Sequence, residues 1–198
     1  MNDRKVKPGG GTSPQPIPGR TLPTVDMERI SFHVGHLFVC GRSEAERIYK
    51  DFDIVISIGT LDDFPRGLLE DHPRHLRVEM DDLDDRSDYE TVRKMGMAMP
   101  SPQHIRRILA FADEKVPTLV HCYAGASRSP ASAMLIAIQH GFDMDEVVNA
   151  MDPSLICPNA RILALGEEML GVTGLSEAVR KRLDWDPGTG ESSCDLEL

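Results

Sequence analysis

His121-Cys122-Tyr123-Ala124-Gly125-Ala126-Ser127-Arg128-Ser129 lies between an apolar run at 116–120 and an apolar, alanine-rich segment at 130–138. That order reads as strand, tight loop, helix. A cysteine at the start of such a loop and an arginine at its end build a cradle for a phosphate, with a nucleophile at its floor. The helix that follows carries partial positive charge at its N-terminus. Successive backbone N–H groups in a tight loop form an anion nest. Arg128 adds a charge that does not titrate away, and its planar fork suits two oxygens of a phosphate. A free thiol, with a pKa of about 8.5, is a weak nucleophile at neutral pH, and all three features favour its thiolate. The implied chemistry is removal of phosphate from an ester through a cysteinyl-phosphate.

The neighbours of Cys122 fit the same reading. The Ser129 hydroxyl either caps the helix or donates to the sulfur and eases its departure in a second step. Pro130 suits the first helical turn, where a missing N–H costs nothing. Gly125, Ala124 and Ala126 are small enough for the backbone to approach a ligand. Residues Tyr123 to Ser127, with Arg128, are therefore the expected substrate-binding loop. His121 ends the strand beside the nucleophile, where its expected part is to fix the loop and tune Cys122. The bland reading, a buried structural cysteine and a surface arginine, fits poorly with so many of these residues in one stretch.

Working outward, strand-like runs occur at 31–39, 53–58, 76–80 and 118–122. Ser43 and Glu46 form a capping-box pattern for a short helix. Ser101 and Pro102 open a helix to about 115, with Ile105, Ile108, Leu109 and Ala112 on one face. Asp143 and Glu146 form a second box, opening a helix to 151. A further helix runs from 160 to 170 and stops at Gly171. Strands alternating with helices imply an α/β fold, a central, mostly parallel sheet flanked by helices on both faces. The nucleophile then sits at the C-terminal end of a strand, where such folds bind ligands.

The stretch 121–130 resembles the signature of the cysteine-dependent protein tyrosine phosphatases, His-Cys followed after five residues by Arg-Ser. The resemblance is closest to the small dual-specificity and bacterial types. It extends to Asp53-Ile54-Val55-Ile56-Ser57-Ile58, similar to that family's early central strand. Residues 76–82 resemble the strand that leads to its general-acid loop. Ile156-Cys157-Pro158-Asn159 resembles its late Ile-x-Pro-Asn segment, and the likeness spans about 30–182. It implies a protein tyrosine or dual-specificity phosphatase. Cys122, Arg128, an aspartate and Ser129 would be catalytic, and His121 and Asn159 supporting. A proton donor is needed to expel the leaving oxygen. Matching the strand 76–80 to the family places it at Asp82, with Asp81 next and Asp84 and Asp85 open. Asn159 is implied as a brace for the loop, and reads equally as the cap of the helix after it. Lipid-directed relatives carry lysines where Ala124 and Ala126 stand, which points away from phosphoinositides. Two other readings remain: a rhodanese-like sulfurtransferase, and a phosphoprotein-binding pseudophosphatase with a misplaced acid.

Composition bounds the rest. A chain of 198 residues suits one domain, expected at 25–183. The Pro- and Gly-rich stretch 1–24 reads as a disordered tail, and the acidic 184–198 as a second flexible one. No apolar run is long enough to span a membrane. A net charge of −10 disfavours nucleic acid as a partner. The four cysteines suggest neither a disulfide framework nor a zinc site. Cys40 and Cys157 read as buried apolar residues rather than disulfide partners of Cys122. A reactive thiolate suits a reducing, cytoplasmic setting. No metal or cofactor is expected, since Arg128 and the loop amides meet the phosphoryl charge. The expected partner is a phosphorylated protein or a small phosphoester. The chain's own sequence leaves oligomeric state, physiological substrate and the roles of the tails open.

Overall fold

The apolar run before Cys122 becomes strand β5 (Thr118–Cys122), every residue of it buried. In a computed structural model that describes residues 22–60, 72–85, 87–112 and 115–184, this strand is the centre of a five-stranded sheet. The other strands are β1 (Phe32–Val34), β2 (Leu37–Gly41), β3 (Ile54–Gly59) and β4 (His75–Glu79), in the order β1–β2–β5–β3–β4. β2, β5, β3 and β4 run parallel, and β1 pairs antiparallel with β2. Parallel strands covered on both faces are buried along their whole length and mostly apolar, as β3 and β5 are.

Alternation along the strands divides the core. Val39 and Ile56 pair with Val120 in register and face the larger cluster, with Cys122, Met134 and Leu135. Cys40 and Ser57 pair with His121 on the other face, where Phe38, Val55 and Leu119 meet Ala45 and Tyr49. Ala45 lies on α1 (Arg42–Ile48). The larger cluster is covered by α3 (Pro102–Phe111), α4 (Arg128–Gln139), α5 (Met144–Asn149), α6 (Ala160–Leu170) and α7 (Leu175–Arg182). A short α2 (Tyr89–Lys94) follows β4. The architecture is thus the expected α/β sandwich, a mostly parallel sheet between helices. Helix α4 is apolar on nearly every side, and it is buried from Arg128 to Ala137 between β2, β5, α3, α5 and α6.

Some elements depart from the sequence expectations. The single strand expected at 31–39 is a hairpin, because Gly35 adopts a φ of +57° and turns the chain between Val34 and Leu37. The Ser43–Glu46 box is unused. Strand β2 runs directly into α1 through Gly41, and Glu46 pairs with Arg42 instead. Helix α3 ends at Phe111 rather than near 115, where Ala112 leaves helical geometry with ψ of 46°. Helix α5 ends at Asn149 rather than 151, while Asp143 caps its start as expected. Apart from 22–24 and 184, the expected tails lie outside the described residues. Among the described residues, no helix is long and apolar enough to cross a membrane.

Candidate active site

Cys122 ends β5 with 3% of its surface exposed. The loop after it closes against three neighbouring segments through its carbonyls. The Arg42 N–H donates to the Tyr123 carbonyl at 2.9 Å. The Ser31 hydroxyl donates to Gly125 O at 2.7 Å. The Cys157 and Asn159 N–H groups donate to Ala126 O and Ser127 O at 2.8 and 3.2 Å. In a planar trans peptide the carbonyl and the next N–H point in opposite directions. The N–H groups of Ala124, Ala126, Ser127 and Arg128 therefore point into the loop, away from those partners. Gly125 makes this docking possible: with φ +77°, a Cβ there would lie 2.5 Å from the Cys40 and Gly41 backbone. Arg128 opens α4, with its guanidinium buried and donating to Met80 O at 3.0 Å. The Ser129 hydroxyl donates to Cys122 Sγ at 3.1 Å, and the N-cap position falls to Ser127.

The acidic loop after β4 reaches this cradle at Asp82. Ser127 Oγ and Asn159 Nδ2 donate to Asp82 Oδ1 at 2.7 and 2.8 Å. Asp82 Oδ2 lies 3.6 Å from Arg128 Nε. The other carboxylates have different partners. Asp81 exchanges two bonds with Ala98: its N–H donates to the Ala98 carbonyl at 2.7 Å, and its carboxylate accepts from the Ala98 N–H at 2.6 Å. Asp85 pairs with Arg161, which also donates to Pro100 O. Asp88 caps α2. Asp84 closes a turn with Ser87 through its main-chain N–H and carbonyl. Asn159 caps the helix as expected, and its side chain reaches the acidic loop rather than the cysteine loop. Its Oδ1 accepts from Ile162 N at 3.0 Å and caps α6, while Nδ2 reaches Asp82 and Leu83 O.

His121 lies behind the cysteine on the opposite face, 1% exposed, with Nε2 2.6 Å from Ser57 Oγ. Burial, above all, holds its imidazole down to about 4, against a pull from the Cys122 backbone. Cys40 shares that face, and burial, with Glu44 and Cys122 nearby, pushes its thiol up to about 12. Its register places it across the sheet from Cys122, and both are free cysteines, whereas Cys157, expected as a buried apolar residue, is half-buried and disulfide-bonded. Tyr123 is 61% exposed on the rim. Ser57, His75, Ser31, Arg42 and Arg161 carried no sequence expectation. Nothing local in the sequence marks any of them as a partner of the site, even Ser57, which lies within the strand-like stretch 53–58. Among the described residues, no group of three or more His, Cys, Asp or Glu is placed to hold a metal.

No protein-family model matches the sequence, and no curated protein matches it. Solved structures do match its fold. Tk-PTP in its active form is 16% identical, covering 72% of this chain and 97% of its own at a TM-score of 0.51. Human DUSP28 is 18% identical, covering 81% and 99% at a TM-score of 0.46. PTPMT1, solved in complex with PI(5)P, is 16% identical, covering 77% and 98% at a TM-score of 0.48. At such identities the likeness is one of fold. The parallel sheet, with a cysteine loop leading from its central strand into a buried helix, gives this chain the fold of the cysteine-dependent protein tyrosine phosphatases.

Proposed function

We propose that the protein is a phosphoester hydrolase of the protein tyrosine or dual-specificity phosphatase type, working through a phosphocysteine on Cys122. The observation that carries this is the set of four outward-tied carbonyls, which turns the loop amides toward the site beside Cys122. Inward amides, a helix N-terminus and Arg128 together suit a phosphate dianion. The Cys122 thiolate attacks phosphorus, and the ester P–O bond breaks. Asp82, as the carboxylic acid, gives its proton to the leaving oxygen. As carboxylate it then takes a proton from the water that attacks phosphorus. The S–P bond breaks and inorganic phosphate leaves. The Ser129 hydroxyl, already on Sγ, steadies the departing thiolate. His121 and Asn159 support the loop and the acid.

The substrate class is a phosphorylated protein or small phosphoester, turned over by residues 25–183 in a reducing, cytoplasmic setting. An aspartate held beside the arginine favours this reading over sulfur transfer, which needs no proton donor for an alkoxide. The test is hydrolysis of para-nitrophenyl phosphate, with EDTA and reductant, by wild type and Cys122→Ser. Turnover in the wild type alone is expected, with ligand binding kept in the variant. Equal turnover in both would overturn the covalent mechanism. Sulfur transfer from thiosulfate to cyanide without phosphate release would move the protein to the other class.

A further inference from the structure

Four carbonyls of the cysteine loop are tied outward, and their donors differ in kind. Those on Tyr123 O, Ala126 O and Ser127 O are main-chain N–H groups, of Arg42, Cys157 and Asn159. Any residue except proline supplies such a donor. The donor on Gly125 O is a side chain, the Ser31 hydroxyl, 2.7 Å away and 94 positions distant along the chain. A hydroxyl has one proton to give. Val39 O, 3.2 Å from the same Oγ, already takes the Ser31 N–H at 2.8 Å. The shorter contact, to Gly125 O, takes the hydroxyl proton.

That carbonyl is also where the loop most needs a tie. Its peptide unit turns about ψ of Gly125 and φ of Ala126, and glycine, with no Cβ, resists such a turn least. The φ of +77° and the close Cys40 and Gly41 backbone fix where Gly125 sits. The peptide unit that follows still depends on its own hydrogen bond. Its bond is trans, so a carbonyl held outward by Ser31 turns the Ala126 N–H inward. Ser31 is itself firmly anchored. Ile30 before it is buried in the smaller core cluster, and Phe32 after it in the larger. Its own N–H extends the pairing of β1 with β2.

We propose that Ser31 is a positioning residue of the phosphate cradle, acting through the Gly125–Ala126 peptide. The inference rests on the reading of 122–128 as an anion cradle. The Ser31 hydroxyl holds that peptide in the orientation that offers the Ala126 N–H to an anion. Without the hydroxyl the peptide turns over for part of the time. A cradle that is competent for only a fraction of the time has its affinity reduced by that fraction. The segment before β1 therefore belongs to the site, through one side chain.

The experiment is a ¹H–¹⁵N NMR titration of the full chain with inorganic phosphate, with the Ala126 amide assigned. Ser31→Ala and Ser31→Val remove the hydroxyl, and Ser31→Thr keeps it in the shape of the valine. Thermal unfolding identifies any variant that is simply misfolded, and the Thr–Val comparison decides if Ser31→Ala is one. In the wild type, phosphate should shift the Ala126 amide. The Ala and Val variants should bind phosphate about fivefold more weakly, the worth of one hydrogen bond, and the Thr variant as tightly as the wild type. Unchanged affinity in folded Ser31→Ala, or an equal loss in Ser31→Thr and Ser31→Val, would overturn the proposal. So would a wild-type Ala126 amide that phosphate leaves unmoved. Phosphate binding needs no turnover. A wild type that binds phosphate at Ala126 yet leaves para-nitrophenyl phosphate intact would sink the hydrolase reading alone. Turnover beside an unchanged affinity in the variants would sink the role of Ser31 alone.

Discussion

At the scale of single residues, the site depends on which carboxylate reaches the cradle. The carboxylates of Asp81, Asp85 and Asp88 are tied to Ala98, Arg161 and the start of α2, respectively. Asp82 meets Ser127, Asn159 and Arg128. Asp82→Ala should therefore slow hydrolysis of alkyl phosphates by ~10²–10⁴-fold, the usual worth of a positioned acid, and para-nitrophenyl phosphate far less. The measurement is kcat across a series of leaving groups, and an equal loss along the series would assign the acid to another carboxylate. Arg128 shows how closely the two halves of the site are joined. Its guanidinium is buried and bonded to Met80 O, at the end of the strand that delivers Asp82. The arginine side chain and the segment that carries Asp82 are therefore joined twice, at the Met80 carbonyl and at the Asp82 carboxylate.

At the scale of elements, α6 is the brace of the acid loop. Asn159 caps the helix and grips Asp82, while Arg161 pairs with Asp85. The two functions of Asn159 separate by substitution. Asn159→Ala should lose about 1 kcal/mol of stability with the cap, whereas Asn159→Ser should keep most of it. Both should slow turnover of poor-leaving-group esters by about tenfold, because a hydrogen bond to a charged acid is lost. Thermal melts and kcat of the pair check this, and full activity in Asn159→Ser would free Asp82 from that brace. Elements were legible in the sequence where their signals are local. β3 and β5 are mostly apolar runs, α6 has a clear stop at Gly171, and the residues of the cysteine loop are contiguous. Helices α2 and α7 were not legible. Val92 is the one buried residue of α2, and α7 buries Leu175 and Val179 among charges behind an N-cap, Gly174, that makes no side-chain bond. The aspartates of the acidic loop looked alike in the sequence because the contacts that distinguish them, such as those of Asn159 and Arg161, come from far along the chain. Ser57 and His75 were invisible for the same reason, since the sheet order alone makes them neighbours of His121.

At the scale of the whole molecule, buried imidazoles set the response to acid. Nε2 of His36, on the turn before β2, lies 2.8 Å from Nδ1 of His140, whose Nε2 is 2.7 Å from Ala112 O. His140 must give its N–H to that carbonyl, so its Nδ1 accepts and His36 donates. Burial first, then the neighbouring His140, Lys115 and His33, holds His36 down to about 4, and burial does the same to His121. An unfolded histidine titrates near 6.5. Below that pH the unfolded chain takes up protons that the native one refuses, so stability falls as pH drops from 6.5 to about 4. Urea unfolding across that range should show the decline, and His36→Gln should make it shallower. A stability unchanged over the window would mean that both rings take up protons in the native state.

The cradle's grip on an anion is written in its main chain. Its carbonyls are fastened by Arg42, Ser31, Cys157 and Asn159, and the side chains of Tyr123 and Ala124 stand exposed outside that arrangement. On the proposed reading, affinity for a phosphoryl group and choice of the molecule that bears it would be inherited separately. Exchanges at 123 and 124 would re-address the loop to a different substrate while its hold on phosphate passed through unaltered.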